Sequence, residues 1–163
     1  MKKDKVICHD INNQETEVPI EKITWRPSAY GILIEDNKIL LSKQYGGYDF
    51  PGGGLEIWET VEEGMKREFK EETGILVEAG QIVHAQTSFF VPSYGLGHWN
   101  CVLVYFLCQK IRGDFSIEGF DEYEKQYADM PEWIDIGDIE KIKFINAVDS
   151  VKIIKKALKT KNM

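Results

Sequence analysis

Histidine and cysteine are scarce in this chain, with three of each in 163 residues. His9 and His84 have no partners at metal-ligand spacing, and His98 begins an apolar strand, the place of an edge or core histidine rather than a catalyst. The cysteines Cys8, Cys101 and Cys108 are odd in number, and two lie in an apolar run. That argues against a disulfide scaffold and for reduced thiols in a cytoplasmic setting. No apolar run approaches a membrane span, and the opening MKKDKVICHD has no apolar segment of a secretory signal. Positive charge is in deficit: 20 Lys and Arg face 27 Asp and Glu, for a net charge of −7. That argues against nucleic-acid binding by a general basic surface, and an anionic phosphate ester would need bound cations to be attracted. Ser28, Ser42 and Ser93 stand in no nucleophile-elbow pattern. Repeats, low-complexity tracts and interdomain linkers are absent too.

What is present is a chain of globular composition, 43% hydrophobic and 12% aromatic, whose length predicts one domain over residues 1–163. Its organising stretch is PGGGLEIWETVEEGMKREFKEETGI, residues 51–75. Three glycines open it and Gly74 closes it, which reads as loop, helix and glycine stop. On a helix over 60–73, Val61, Met65 and Phe69 form an i, i+4, i+8 stripe that seeks a core. Glu62, Glu63, Lys66 and Lys70 fall opposite, with Glu62–Lys66 and Glu63–Arg67 at pairing distance. Glu68 and Glu72 fall inside the apolar sector, and Glu71 flanks them. An inward carboxylate needs a partner, and several converging carboxylates need a positive charge between them. Hard oxygen donors at i, i+3 and i+4 suit Mg²⁺ or Mn²⁺. The competing interpretation, a solvated acidic helix, is opposed by the inward phase of Glu68 and Glu72.

These residues resemble the Nudix box, G-x(5)-E-x(7)-R-E-U-x-E-E-x-G-U with U a bulky apolar residue. Gly53, Glu59, Arg67, Glu68, Phe69, Glu71, Glu72, Gly74 and Ile75 fill its fixed positions. Ile57-Trp58 departs from the small, turn-forming residues often found before the box glutamate. The resemblance implies an α/β fold: a Nudix-type α/β/α sandwich with a mixed β-sheet, the box loop-helix at 53–74 and a C-terminal helix. It also implies Mg²⁺, with Mn²⁺ as a substitute, held by Glu68, Glu72, the Gly53 carbonyl and Glu71, directly or through water. Arg67 would orient carboxylates and Glu59 would brace the helix start. A further acid from a distant loop serves many relatives as ligand or general base. Glu118, Glu122 and Glu124 are the candidates here, with Glu122 preferred, while Glu68 and Glu71 remain open as the base.

In chain order, KVICHDI and ETEVPI over residues 5–20 read either as a β-hairpin around Asn12-Asn13 or as a loose terminus. Such a hairpin would offer edge and apolar surface for a homodimer. SAYGILIED and KILLSKQ are strands turned by Asp36-Asn37, with Trp25-Arg26-Pro27 a lead-in. Residues 76–91 read as strand, interrupted near Ala79-Gly80, and HWNCVLVYFLCQ as a buried central strand. Residues 112–131 form an acidic loop, Glu132–Ile136 a strand, and Val148, Val151, Ile154 and Leu158 the stripe of a last helix.

The function implied by the resemblance is Mg²⁺-dependent hydrolysis of the diphosphate linkage in a small-molecule nucleoside diphosphate derivative. An NTP, ADP-ribose, a sugar nucleotide or a dinucleoside polyphosphate would all qualify. No nucleic-acid or membrane partner is expected. A non-catalytic nucleotide-binding module on the same fold is the alternative. In the family a downstream proline marks ADP-ribose hydrolases and a tyrosine dinucleoside polyphosphate hydrolases; Pro92 and Tyr94 both fall in that region. Tyr48, Phe89, Phe90, Tyr94 and Trp99 are candidates to stack a base.

Overall fold

The computed structural model describes residues 3–92, 97–120, 122, 124–146 and 148–162. It begins with an antiparallel hairpin of β1 (Lys5–His9) and β2 (Glu15–Pro19), registered from Lys5↔Pro19 to His9↔Glu15. Asp10 closes its turn by accepting the Asn12 and Gln14 N–H groups, each at 2.8 Å. Strands β3 (Ile23–Glu35), β4 (Lys38–Gln44), β5 (Gly47–Asp49) and β6 (Gly52–Gly54) precede helix α1 (Val61–Thr73). Then come β7 (Leu76–Phe90), β8 (His98–Arg112), β9 (Ala128–Asp135) and helix α2 (Ser150–Lys161).

The sheet is mixed, in the order β2-β1-β7-β8-β3-β4-β5, with β6 beside β3 and β9 beside β4. β8 is central: it pairs antiparallel with β7 and parallel with β3. Period-two alternation along β3 and β4 divides the core between the two faces. Ile32, Ile34, Ile39 and Leu41 point to the side covered by α2, with Ile153, Ile154 and Ala157. Ala29, Leu33 and Leu40 point to the side covered by α1, with Met65 and Phe69. This is an α/β/α arrangement. The hairpin adds a third cluster, Val6, Cys8 and Val18 against Phe89 and Val91.

Several elements run longer than the sequence suggests. β3 starts at Ile23 and passes through Pro27. The Pro27 carbonyl accepts the Leu55 N–H at 3.1 Å, so its missing N–H faces that same side and costs no bond to β8. β7 is not broken at Ala79-Gly80; it absorbs them as register shifts against β8 between Ala79 and Ile82 and again before His84. β9 begins at Ala128 instead of Glu132. In α2 the buried set is Ser150, Ile153, Ile154 and Ala157, so the stripe is rotated from the expected one and Val148, Val151 and Leu158 sit at its rim.

One irregularity makes room for chemistry. β3 and β4 pair only at Ile34↔Ile39 and Glu35↔Lys38, next to their turn, and then diverge. β6 follows β3 and β5 follows β4, leaving a fork between the two branches.

Candidate active site

Helix α1 is set at both ends by local chemistry. Thr60 and Glu63 form a reciprocal capping box, and Gly74 ends the helix in the left-handed region at φ 76°, where a side chain would be strained. Its buried residues are Gly64, Met65, Phe69 and Thr73. Val61, expected in the core, is exposed at the helix start, and Gly64, tucked under Leu55, takes the buried position. The expected surface pairs are also replaced: Glu63 is spent on the cap, and Lys66 reaches Glu78 on β7. Longer-range partners win because a helix packed on a sheet offers its flanks to neighbouring strands.

Arg67 spends all its donors. Its Nε and Nη2 grip the two oxygens of Glu59 at 2.6 and 2.9 Å, and Nη2 also donates to the Gly54 carbonyl at 3.2 Å. Nη1 donates to Glu68 at 2.8 Å and to Glu71 at 3.1 Å. The Arg67 hydrogen bonds hold the Glu59 carboxyl down at about 2. Glu68 sits against the box loop: a β-carbon on Gly53 would lie 2.7 Å from its Oε2, so only glycine lets backbone and carboxylate come this close. Glu72 occupies the fork in the sheet, its Oε2 accepting the Ser42 hydroxyl at 2.5 Å and the Gly52 N–H at 3.2 Å. Burial pushes the Glu72 carboxyl well above its ordinary range, with Ser42 opposing and the Glu68 charge adding to the rise. Burial likewise raises Glu68, against the pull of Arg67.

Glu68, Glu72 and the glycines Gly52, Gly53 and Gly54 line a cavity of about 350 Å³. Its floor is the sheet face carrying Arg26, Tyr30, Trp99, Leu103 and Tyr105. Two charged residues on its wall were not anticipated. Asp49, at the end of β5, accepts from the Phe50 N–H and from the Asn146 amide, which Ser150 in turn holds. Burial pushes its carboxyl up to about 7. Arg26 stands on the same wall, its guanidinium over the Trp99 ring. Neither belongs to a spaced motif; the only sequence signal was the alternation that places Arg26 on the same strand face as Tyr30.

Other candidates are positioned differently. Glu71 is half exposed on Arg67 and does not line the cavity. The loop after β8 does reach α1, where the Ser116 N–H donates to the Thr73 carbonyl and Gly119 lies against the Glu71 backbone. Its described acids nevertheless face water: Asp114 and Glu118 are exposed, and the Glu122 side chain, 93% exposed, pairs with Lys125 at 2.6 Å. Glu122 is thus not brought to the cavity. The Glu124 side chain and Tyr94 lie outside the described residues. Of the aromatic candidates, Tyr48 donates to Glu132, Phe89 packs on the hairpin, and Trp99 is covered by Arg26. Phe90 and Pro92 line the cavity.

The donor set fits a hard divalent cation, with two inward carboxylates and a backbone carbonyl loop pressed against one of them. As the side chains stand, no three acidic, histidine or cysteine groups among the described residues form a closed cage. Glu68 and Glu71 are both turned onto Arg67 Nη1.

A family model, the NUDIX domain, matches residues 25–155. The chain belongs to the Nudix family. An ADP-ribose pyrophosphatase of Methanocaldococcus jannaschii is 33% identical over 137 residues, 81% of this chain and 72% of that protein. An RNA pyrophosphohydrolase of Acinetobacter baylyi is 39% identical over 82 residues, and the match spans about half of either chain, 48% of each. Among solved structures, an ADP-ribose pyrophosphatase of Streptococcus suis superposes with a TM-score of 0.66 at 18% identity, covering 86% of this chain and 94% of that one. A MutT protein of Methanosarcina mazei gives 0.62 at 20% identity, covering 87% and 99%. The chain is therefore a Nudix hydrolase, and the fork holding Glu72 is where its box meets the sheet. Among the described residues no helix is long and apolar enough to cross a membrane.

Proposed function

We propose that this Nudix hydrolase cleaves the diphosphate linkage of a nucleoside diphosphate derivative with Mg²⁺, Mn²⁺ substituting, and that ADP-ribose is the first member of that class to test. The observation that carries the reading is the convergence of Glu68, Glu72 and the Gly53 loop on one cavity. The choice of ADP-ribose draws on the M. jannaschii relative, which matches most of the chain, and on Pro92 at the cavity wall.

Glu68, Glu72 and the Gly53 carbonyl would hold the cation, with Glu71 contributing through water. When bound, the cation neutralises phosphate charge and activates the attacking water. Arg67 keeps Glu68 and Glu71 aimed while Glu59 anchors Arg67 from behind. Glu68, on the cavity beside the Gly53 loop, takes the proton from the attacking water. The phosphorus–oxygen bond of the anhydride breaks as the new one forms, so ADP-ribose and water give AMP and ribose 5-phosphate.

The test is product analysis with ADP-ribose, nucleoside triphosphates, sugar nucleotides and dinucleoside polyphosphates, each with Mg²⁺ and with EDTA. Metal-dependent cleavage of at least one is expected. Tight binding without cleavage of any would transfer the chain to the non-catalytic reading.

A further inference from the structure

Arg26 projects from β3 onto the cavity wall beside Gly54, where a β-carbon would come within 2.7 Å of its Nη2. Its guanidinium lies over the Trp99 ring, Cζ 4.5 Å from the ring centroid. One donor, Nη1, is spent on the buried Ser28 hydroxyl at 2.9 Å. No carboxylate among the described residues forms an ion pair with it, although its charge acts on Glu68 across the wall that also carries Asp49 and Glu72. Among the described residues lining the cavity it is the one cation.

A half-buried charge without a contact ion pair is costly in a fold. What holds this one is an aromatic face, which attracts the cation but leaves the donor edge of its plane uncovered. Stacking fixes the orientation of the fork, so its Nε and Nη2 donors can be used without further loss of side-chain freedom. A planar fork of this kind matches two oxygens of a phosphate. The seat lies next to Gly53, Gly54 and Glu68, the loop and carboxylate that would hold the cation.

We propose that Arg26, stacked on Trp99, is the seat for the phosphate group of the substrate's diphosphate that the cation at Glu68 and Glu72 does not hold. This rests on the hydrolase reading for its substrate, but the seat itself is a separate anion site. One consequence is that Trp99 stiffens an arginine and does not stack a base.

Arg26→Gln and Arg26→Lys are compared with the wild type in Mg²⁺, by steady-state kinetics on a cleaved substrate and by calorimetry with ADP, adenosine and Mg²⁺ alone. Arg26→Gln is expected to raise KM and weaken ADP about 10- to 100-fold, the range of a lost charge-assisted pair. Its kcat should stay within about threefold, and adenosine and Mg²⁺ affinities should not change, because neither engages the anion seat. Arg26→Lys, which keeps charge but loses the fork, should fall between. If Arg26→Gln does not fold, the Lys variant and its ADP-to-adenosine ratio decide. Unchanged KM and ADP affinity would overturn the seat, as would an equal weakening of ADP and adenosine, which indicates packing at Trp99. Failure of the wild type to bind ADP also overturns it. Arg26-dependent ADP binding with no cleavage of any substrate would sink the hydrolase reading and leave the seat standing.

Discussion

Two arginines act on Glu68 from different parts of the fold, and they are satisfied in opposite ways. Arg67, on the box helix, has every donor engaged by Glu59, Glu68, Glu71 and the Gly54 carbonyl. Arg26, on the facing strand, has one hydroxyl and an indole face. The first belongs to a region whose internal charges are already matched, and its task is to hold carboxylates in place. The second belongs to a region with charge to offer a ligand. A saturated ion-pair lattice positions; an unsaturated one binds.

The largest break in that comparison should come from the box carboxylates. Glu68→Gln keeps shape but removes the proton acceptor, so kcat should fall about 10²–10⁴-fold, and added Mg²⁺ should restore only the part that comes from weakened ligation. Glu72→Gln should lose activity that Mg²⁺ partly rescues, because its loss is one of ligation. Glu62→Gln, on the exposed flank of α1, should match the wild type. Equal losses at Glu62 and Glu68 would mean that the helix does not present its acids as described.

Cation binding should appear in stability as well. Burial raises both Glu68 and Glu72, with Glu71 repelling the first and Glu68 the second, and a bound cation relieves that repulsion. At a hundredfold excess over Kd the gain is about 2.7 kcal/mol, a rise in Tm of roughly 5–10 °C for a chain of this size. Thermal melts with Mg²⁺ and with EDTA measure it, and Glu72→Gln should remove most of it. A shift that persists in Glu72→Gln would place the ion elsewhere.

The asymmetry between the two regions also explains what was legible beforehand. The box is local: Gly53 to Ile75 lie within one loop and helix, so spacing and helical phase brought out Glu68, Glu72 and the glycine stop. Helical phase misplaced Val61, because the capping box at Thr60 starts the helix at its exposed end. The facing wall is assembled from Arg26 on β3, Asp49 on β5, Trp99 on β8 and Asn146 before α2. Those residues meet only through parallel pairing of β3 with β8 and the fork between β3 and β4, neither of which has a local signature. Glu122 was favoured for its acidic loop; Lys125, three residues on, accounts for its charge instead.

On the facing wall, the charge of Asp49 is a burden to the fold. Its ordinary value is 3.8, and burial raises it to about 7 in the folded protein. A carboxyl raised on folding binds its proton more tightly in the native state. Stability therefore falls as pH rises from about 4 through 7, and the full penalty is present above 7. Three units correspond to about 4 kcal/mol as an upper bound; with water reaching the half-buried side chain, about 1–3 kcal/mol is realistic. Without added metal, Asp49→Asn should thus raise Tm by roughly 3–8 °C at pH 8, shrinking towards zero near pH 4. A variant that is equally or less stable than the wild type at pH 8 would show that Asp49 is stabilised as a carboxylate.

The smallest effect is expected at Glu122. Its side chain is 93% exposed and its pair with Lys125 at 2.6 Å is one of i, i+3 surface geometry. Such pairs are worth about 0.3–0.5 kcal/mol at most, so Glu122→Gln should leave Tm within about 1–2 °C and kcat within experimental error. The two regions compared above would then contain the chemistry between them, with proton transfer in the box and anion binding on the facing wall. A loss of about 10²-fold in kcat, unrescued by Mg²⁺, is what a general base would give. In that case the loop after β8 must fold over the cavity when substrate binds, carrying Glu122 away from Lys125. Measuring the Glu122→Gln rate beside Glu68→Gln, on the same substrate and at the same Mg²⁺, separates these outcomes, because only one of the two residues can be the unrescued acid.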